Sequence, residues 1–240
     1  FVTNLCLARK VRDAAALAGM PVLLQSDSKR TDGYTSVQSR VAGNGISIKS
    51  PRGEIKRALS DKFFDVRLRG VTLALPSKKG ESEKGFGLSM RAALSLTDAK
   101  SVEPVRVVRM QITRSHNAAD GLPDGEKGSE TMGMRYVVEH GVYTFFGAIT
   151  PFTAAVTGLM KKDVEDLKKI LPLILDNDQS VSRPYGSFYI RDIAWWNMEN
   201  STKRINPGRI CKAMKADPVT GELSLADAEM PIKPEMLEVW

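Results

Sequence analysis

The residues of this chain that could do chemistry are mostly cations. Arg9, Lys10 and Arg12 fall in one short stretch, and Arg67 and Arg69 alternate with apolar residues. Ser89 and Arg91 follow the run Gly85-Phe86-Gly87-Leu88, while Arg109, Arg114, Arg135 and Arg183 lie in alternating or polar surroundings. Arg and Lys in such numbers suit a polyanion, because several phosphate contacts give affinity without reading base sequence. Gly85 and Gly87 add a loop whose backbone could approach a phosphate. That loop lacks the Lys-Ser or Lys-Thr ending of a nucleotide P-loop and opens a strand rather than a helix. Each feature has a bland counterpart: a solvated helix face for Arg9 to Arg12, a flexible hairpin turn for Gly85 and Gly87, and core packing with one outward arginine for Met132-Gly133-Met134-Arg135.

The sequence carries little that points to catalysis. A metal centre needs several His, Cys or carboxylate ligands at geometric spacing, and His116 and His140 stand apart from each other and from both cysteines. There is no Gly-x-Ser-x-Gly run and no Cys and His signature of a nucleophile. No catalytic residue, metal or cofactor is expected. The competing enzymatic reading is metal-independent RNA cleavage through His140, against a structural histidine at that position. Trp195-Trp196 is read as aromatic surface buried at a strand end.

Composition narrows the class. The chain has 240 residues, 42% of them hydrophobic, enough to bury a core. No apolar run approaches the roughly 18 to 20 residues of a membrane span. Cys6 and Cys211 are too few and too distant for a disulfide scaffold, so a cytoplasmic setting is expected. Residues 1 to 75 hold 13 basic and 6 acidic side chains and the remainder 22 of each, so the first third carries the whole net charge of +7. A localised positive field draws phosphate backbones or anionic lipids; a diffuse one merely aids solubility.

Local signals supply the elements that would position these groups. Thr3 or Asn4 caps a helix running to Ala18 with Gly19 as its stop, Leu5, Ala8 and Ala15 facing a core and Arg9, Lys10 and Arg12 projecting away from it. Residues 25 to 48 read as a long irregular surface segment, and Ser50-Pro51 starts a short helix to about Asp61. Phe64, Val66 and Leu68, then Val71, Leu73 and Leu75, predict one strand with a bulge at Gly70. Leu88 to Leu96 predicts its hairpin partner. A second ribbon is expected from Val105 to Ser115 and Thr131 to Phe146, with a polar tip at His116 to Ser129. Thr150-Pro151 starts a helix, and another runs through Val164, Leu167, Leu171 and Ile174, kinked or shortened by Pro172. Ser187 to Trp196 reads as a strand, Asn206-Pro207 caps a basic helix to Lys215, and 216–240 reads as a proline-containing tail. With one strand added before Phe1, this order becomes an α+β, ferredoxin-like (RRM-like) single domain spanning 1–240.

The run from Phe1 to Asp13, with Phe64 to Val71, Ser101 to Val105, Glu130 to Gly133, Val138 to Tyr143, Thr150-Pro151 and Ala155 to Gly158, resembles the backbone subunit of type I CRISPR surveillance (Cascade) complexes, a branch of the RAMP superfamily. The resemblance leans to the I-C and I-B (Csd/Csh) branch and covers roughly Phe1 to Ile193. Three departures accompany it. The first strand and the turn after it are absent, Gly85-Phe86-Gly87 stands where an Arg-Gly pair is usual, and Arg135 alone matches two basic positions. The resemblance implies a palm with a finger-like insertion at 25–57 and a thumb-like β-ribbon at 105–138. It also implies copies coating a guide RNA head to tail with other Cascade subunits, target DNA being read by base pairing. The RNA-binding set expected on both grounds is Arg9, Lys10, Arg12, Arg67, Arg69, Gly85, Gly87, Ser89, Arg91, Arg109, Arg114, Met132, Arg135 and Arg183. A protein-interaction scaffold without RNA is the third reading.

Overall fold

A computed structural model describes residues 1–25, 32–75, 86–113, 132–178, 183–198 and 205–239. Helix α1 (Asn4–Leu17) begins where Thr3 accepts a hydrogen bond from the Cys6 amide, and the chain turns away at Gly19, whose φ of +77° suits glycine. Its inward face is Leu7, Ala8, Val11, Ala14 and Ala15, packed with Phe64, Leu68, Leu94, Leu96, Leu167 and Ile170 in the main core. Leu5 is 73% exposed, which corrects its expected core position: it lies one turn before exposed Arg9 on the solvent side.

The stretch expected to be irregular contains α2 (Val37–Gly43), opened by a reciprocal pair in which the Ser36 and Ser39 side chains cap each other's backbone. Two serines in a polar run give no apolar periodicity, so the signal was hidden in composition. Val41 and Ile46 then enter a second core with Leu23, Ile55, Leu59, Val66, Leu73 and Leu88. Helix α3 (Arg52–Lys62) follows Pro51 and carries Ile55 and Leu59 into that core.

The largest correction concerns residues 64 to 69, which form helix α4 (Phe64–Arg69) rather than a strand. Period-2 alternation needs one wet face, but Phe64, Asp65, Val66, Arg67 and Leu68 are all buried. Asp65 accepts the Leu23 and Leu24 amides at 2.8 and 3.0 Å, so its charge is satisfied inside. Gly70 ends the helix at φ +66° and ψ −175° and turns the chain into β1 (Val71–Leu75). Strand β1 pairs antiparallel with β2 (Phe86–Met90), so the expected hairpin is present, Val71 opposite Met90 through Leu75 opposite Phe86. The expected continuous strand to Leu96 breaks after Met90, where the Ala93 amide turns to the Leu68 carbonyl, and resumes as β3 (Leu94–Leu96).

Strand β4 (Lys100–Ser101) leads into β5 (Val107–Thr113), which pairs over seven residues with β6 (Met132–Val138). The second arm is shorter than expected, since β7 (Tyr143–Thr144) and β8 (Gly147–Ile149) leave it to pair with β4 and β3. Thr150 and Thr153 form a capping box on α5 (Pro151–Thr157). Helix α6 (Lys161–Ile170) gives way to a 3₁₀ turn at Leu171–Leu173, Pro172 shortening it as expected. The strand predicted over Ser187 to Trp196 contracts to β9 (Ile193–Trp195). Helix α7 (Pro207–Ala213), capped by Asn206, stops before Lys215, which lies in β10 (Met214–Ala216).

The tail is built structure: β11 (Leu223–Leu225) pairs with β10 and β12 (Glu235–Leu237) with β9. Ile205, Ala213 and Met230 form a small third core beneath it. Every sheet among the described residues is two-stranded. No helix among them is long and apolar enough to cross a membrane.

Candidate nucleic-acid interface

The ribbon β5–β6 owes its character to register. Partners across an antiparallel pair share a face, and a one-residue step changes face. Strand β6 has an apolar row, Met134, Tyr136 and Val138, but opposite it lie Gln111, Arg109 and Val107. Strand β5 has the apolar row Val108, Met110 and Ile112, and opposite it lie Val137, Arg135 and Gly133. Each face is therefore mixed, and neither matches the wholly apolar surface a core requires. Exposure follows: Tyr136 is 65% exposed, and Val107, Met110, Ile112, Met134 and Val138 are also exposed. Arg109 stands across from Tyr136 on one face, and Arg135, whose guanidinium lies 3.7 Å from the Met110 sulfur, is on the other. At the root, exposed Arg106 pairs with Glu139 at 3.3 Å.

A ribbon exposed on the Arg109 and Tyr136 face, and half-buried on the other, where Val108, Arg135 and Val137 are partly covered and Met110 and Ile112 exposed, suits a single-stranded nucleic acid on its exposed face: cations meet phosphates and rings meet base faces. The sequence pattern carried the two rows but not their pairing, so Tyr136 was missed as a site residue. The signal was the mismatch between one strand's apolar row and its partner's polar one.

The other expected site residues divide sharply. Lys10 is buried at 3% exposure and pairs with Asp178, so the common outward face of Arg9, Lys10 and Arg12 is corrected: Arg9 alone is exposed. Arg12 is mostly covered and donates to Asp65 at 3.1 Å. Arg67 is buried and grips Asp163 with two bonds of 2.8 Å, its third donor reaching the Ser60 carbonyl. Its charge is consumed by the fold, which removes it from an outward phosphate surface. Arg69 donates to the Leu94 carbonyl, and burial, together with the like charge of Arg12, lowers its pKa. These partners are far away in sequence, and an isolated helical or alternating pattern cannot reveal them.

Arg91 and Arg109 are exposed, as are Gly87 and Ser89 on β2; a side chain at Gly87 would meet open space. Ser89 lies 3.5 Å from Thr72 Oγ1. Arg183 is partly exposed and pairs with Asp178 at 2.9 Å. Met132 belongs to β6 by its backbone. Gly85, Arg114 and the tip His116 to Ser129 lie outside the described residues. The structure thus gathers Arg109 and Arg135 on the ribbon and Arg9 and Arg183 around Asp178, while Lys10, Arg12 and Arg67 serve as internal latches.

His140 is exposed just past the end of β6. Among the described residues no three His, Cys, Asp or Glu side chains gather as a metal site. Trp195 and Trp196 are half-buried, and the Lys168 ammonium lies 5.3 Å from the Trp195 ring centre while also pairing with Glu235 at 2.9 Å. That contact holds β12 against α6. Cys6 and Cys211 are free thiols.

A body latched by internal ion pairs and carrying an exposed cationic and aromatic ribbon has the build of a polyanion-binding subunit. The chain matches the family model of CRISPR-associated protein Cas7 over residues 1–233 and belongs to that family. The family provides the CRISPR RNA-binding backbone of Cascade-type complexes and is generally non-catalytic. No curated protein sequence matches the chain.

Proposed function

We propose that this chain is a non-catalytic subunit that coats a CRISPR guide RNA in successive copies, head to tail, and holds it for pairing with a target strand in antiviral defence. In this reading β5–β6 is the thumb of 105–138, reaching from one copy to the RNA on the next, and 25–57 is the finger insertion. The remaining α+β body is the palm of a ferredoxin-like plan. The I-C or I-B branch is the subtype proposed, and target DNA and further Cascade subunits are the partners.

The observation that carries the reading is the ribbon with two mixed faces, one exposed and the other partly exposed. A self-contained binding domain needs one binding face, whereas a repeating subunit needs one toward the strand and one toward its neighbour. Such heterologous contacts do not close and so grow with the length of the template. Sedimentation on single-stranded RNAs of increasing length tests it. Wild-type complexes are expected to grow stepwise with RNA length, and an Arg109→Ala, Tyr136→Ala, Arg135→Ala variant is expected to lose that growth while remaining folded. Purified wild-type protein that carries no RNA and forms no length-dependent complexes would overturn the reading.

A further inference from the structure

Two apolar surfaces stand at opposite ends of one antiparallel ladder. That ladder pairs Leu94 with Ile149 at one end and Lys100 with Thr144 further along, and it closes where the Val102 amide donates to the Val142 carbonyl. Beyond the Leu94 end, Thr150 opens α5, and the Thr153 hydroxyl ties that helix to the Ala93 carbonyl. Beyond the Val102 end, the Glu139 amide donates to the Arg106 carbonyl and the ribbon β5–β6 begins. The stretch from Leu94 to Val102 spans about 25 Å at the rise of a β-strand.

Helix α5 contains no charged residue, and its outward side is Pro151, Phe152, Ala155 and Val156. Phe152 and Val156 lie one turn apart on the same face, 72% and 59% exposed. Its polar side chains are committed elsewhere: Thr157 is buried, and Thr153 caps the helix and holds Ala93. A surface helix ordinarily turns polar residues outward, and α5 turns apolar ones. On the ribbon, the partly covered face joins Val108, Met110 and Ile112 to Val137, Arg135 and Gly133. Its one cation, Arg135, is turned toward the Met110 sulfur, while Met110 and Ile112 stay exposed. Arg109 and Tyr136, the groups suited to nucleic acid, are on the opposite face.

We propose that the α5 face of one copy receives the Met110 and Ile112 face of the ribbon from the next, so that a second copy of this chain covers both surfaces. Placement at opposite ends favours this occupant, because a contact between unlike ends adds copies in one direction without closing. Charge favours it too. A phosphate strand would find no cation on α5, whereas an uncharged ribbon face loses nothing by lying against it. Size sets the condition for assembly: a few side chains on each side bury far less than the roughly 1,200 Å² of a stable pair. Copies therefore meet only when a strand already holds them side by side. The inference rests on the repeating-subunit reading above and names the surface that receives the ribbon.

Sedimentation of the full chain on two single-stranded RNAs, one long enough for a single copy and one for two, tests it. Phe152→Gln, Val156→Gln and, separately, Met110→Thr, Ile112→Thr keep helix and strand formers at exposed positions, and both are expected to bind the short RNA as wild type does. On the longer RNA each is expected to take up its second copy about tenfold or more weakly, the loss of one well-buried side chain. Mixed together, the two variants retain one intact contact and are expected to form the two-copy complex that neither forms alone. A Phe152→Gln, Val156→Gln chain that adds its second copy as wild type does overturns this proposal and spares the ribbon reading. So does a mixture of variants, each binding the short RNA normally, that forms no two-copy complex. Weakened binding of the short RNA by the α5 variant would make that face a nucleic-acid contact and also overturn the proposal, and wild-type protein that adds no second copy at all overturns both readings.

Discussion

Removing the Asp163 carboxylate isolates a buried cation, and its consequence can be worked from the geometry. Arg67 and Asp163 are almost wholly covered, at 10% and 4% side-chain exposure, and are joined by two parallel bonds of 2.8 Å. Asp163 Oδ2 also accepts the Met160 amide at 2.9 Å, closing the first turn of α6. Asp163→Ala leaves the guanidinium with backbone carbonyls alone, which costs about 3 to 5 kcal/mol. Loss of the helix cap adds about 1 kcal/mol. For a chain of this length each kcal/mol lowers Tm by about 2 to 4 °C, so a fall of about 8 to 24 °C is expected in thermal denaturation.

The paired substitution Arg67→Met, Asp163→Leu removes both charges and fills the space with apolar groups, and all but about 1 kcal/mol of the loss is expected to return. A fall of less than about 2 °C in the single variant, or no recovery in the double, would refute the argument. RNA binding gives an independent check. If the folded double variant lost about 0.7 from its salt slope, Arg67 would be contacting phosphate and its assignment as an internal latch would be wrong.

Gly70→Ala is expected to lower stability by about 1 to 3 kcal/mol in urea denaturation, because a Cβ at φ +66° would strike the Met90 carbonyl oxygen and approach the Arg91 carbonyl carbon to 2.6 Å. A neutral result there would mean that the α4 to β1 turn is not formed as described. Asp178, which burial pushes up but the Lys10 hydrogen bond and the fields of Lys10, Arg183 and Arg9 hold below the roughly 3.9 of an unfolded aspartate, supports the fold fully above about pH 4, and that support is lost as pH falls through the depressed value. The Tm of wild type is therefore expected to fall more steeply than that of Asp178→Asn below pH 4; parallel curves would remove Asp178 from the latch.

What could be read in the sequence was whatever is decided within a few residues. Thr3, Thr150 and Asn206 cap helices at the expected places, because a hydroxyl or amide beside its own helix needs no distant partner. Pro172 shortens α6 and the β1–β2 hairpin forms for the same local reasons. The failures lie where distant residues decide. Alternation at 64 to 69 meant a strand only while Asp65 and Arg67 were assumed to face water, and Leu23, Leu24 and Asp163 supply their partners from elsewhere in the chain. Lys10 looked like part of an outward cluster because Asp178 could not be seen beside it. The ribbon itself was legible, but its two-faced character waited on register, which no single strand reveals.

The same long-range pairing redistributes the charge on which the binding argument rests. By sequence, residues 1 to 75 hold 13 cations and 6 acids and the rest is balanced at 22 and 22. Lys10 and Arg67 pair with Asp178 and Asp163 from the balanced part, while Arg12 and Arg40 pair with Asp65 and Asp32 within the first. Setting those four pairs aside leaves 9 against 4 in the first third and 22 against 20 beyond it, so +5 and +2 replace +7 and 0. Folding therefore moves part of the positive excess out of the segment where it is written and into the portion that carries β5–β6. A guide strand held by this chain is expected to feel attraction along its whole contact path, which is what a subunit repeating along a polyanion requires.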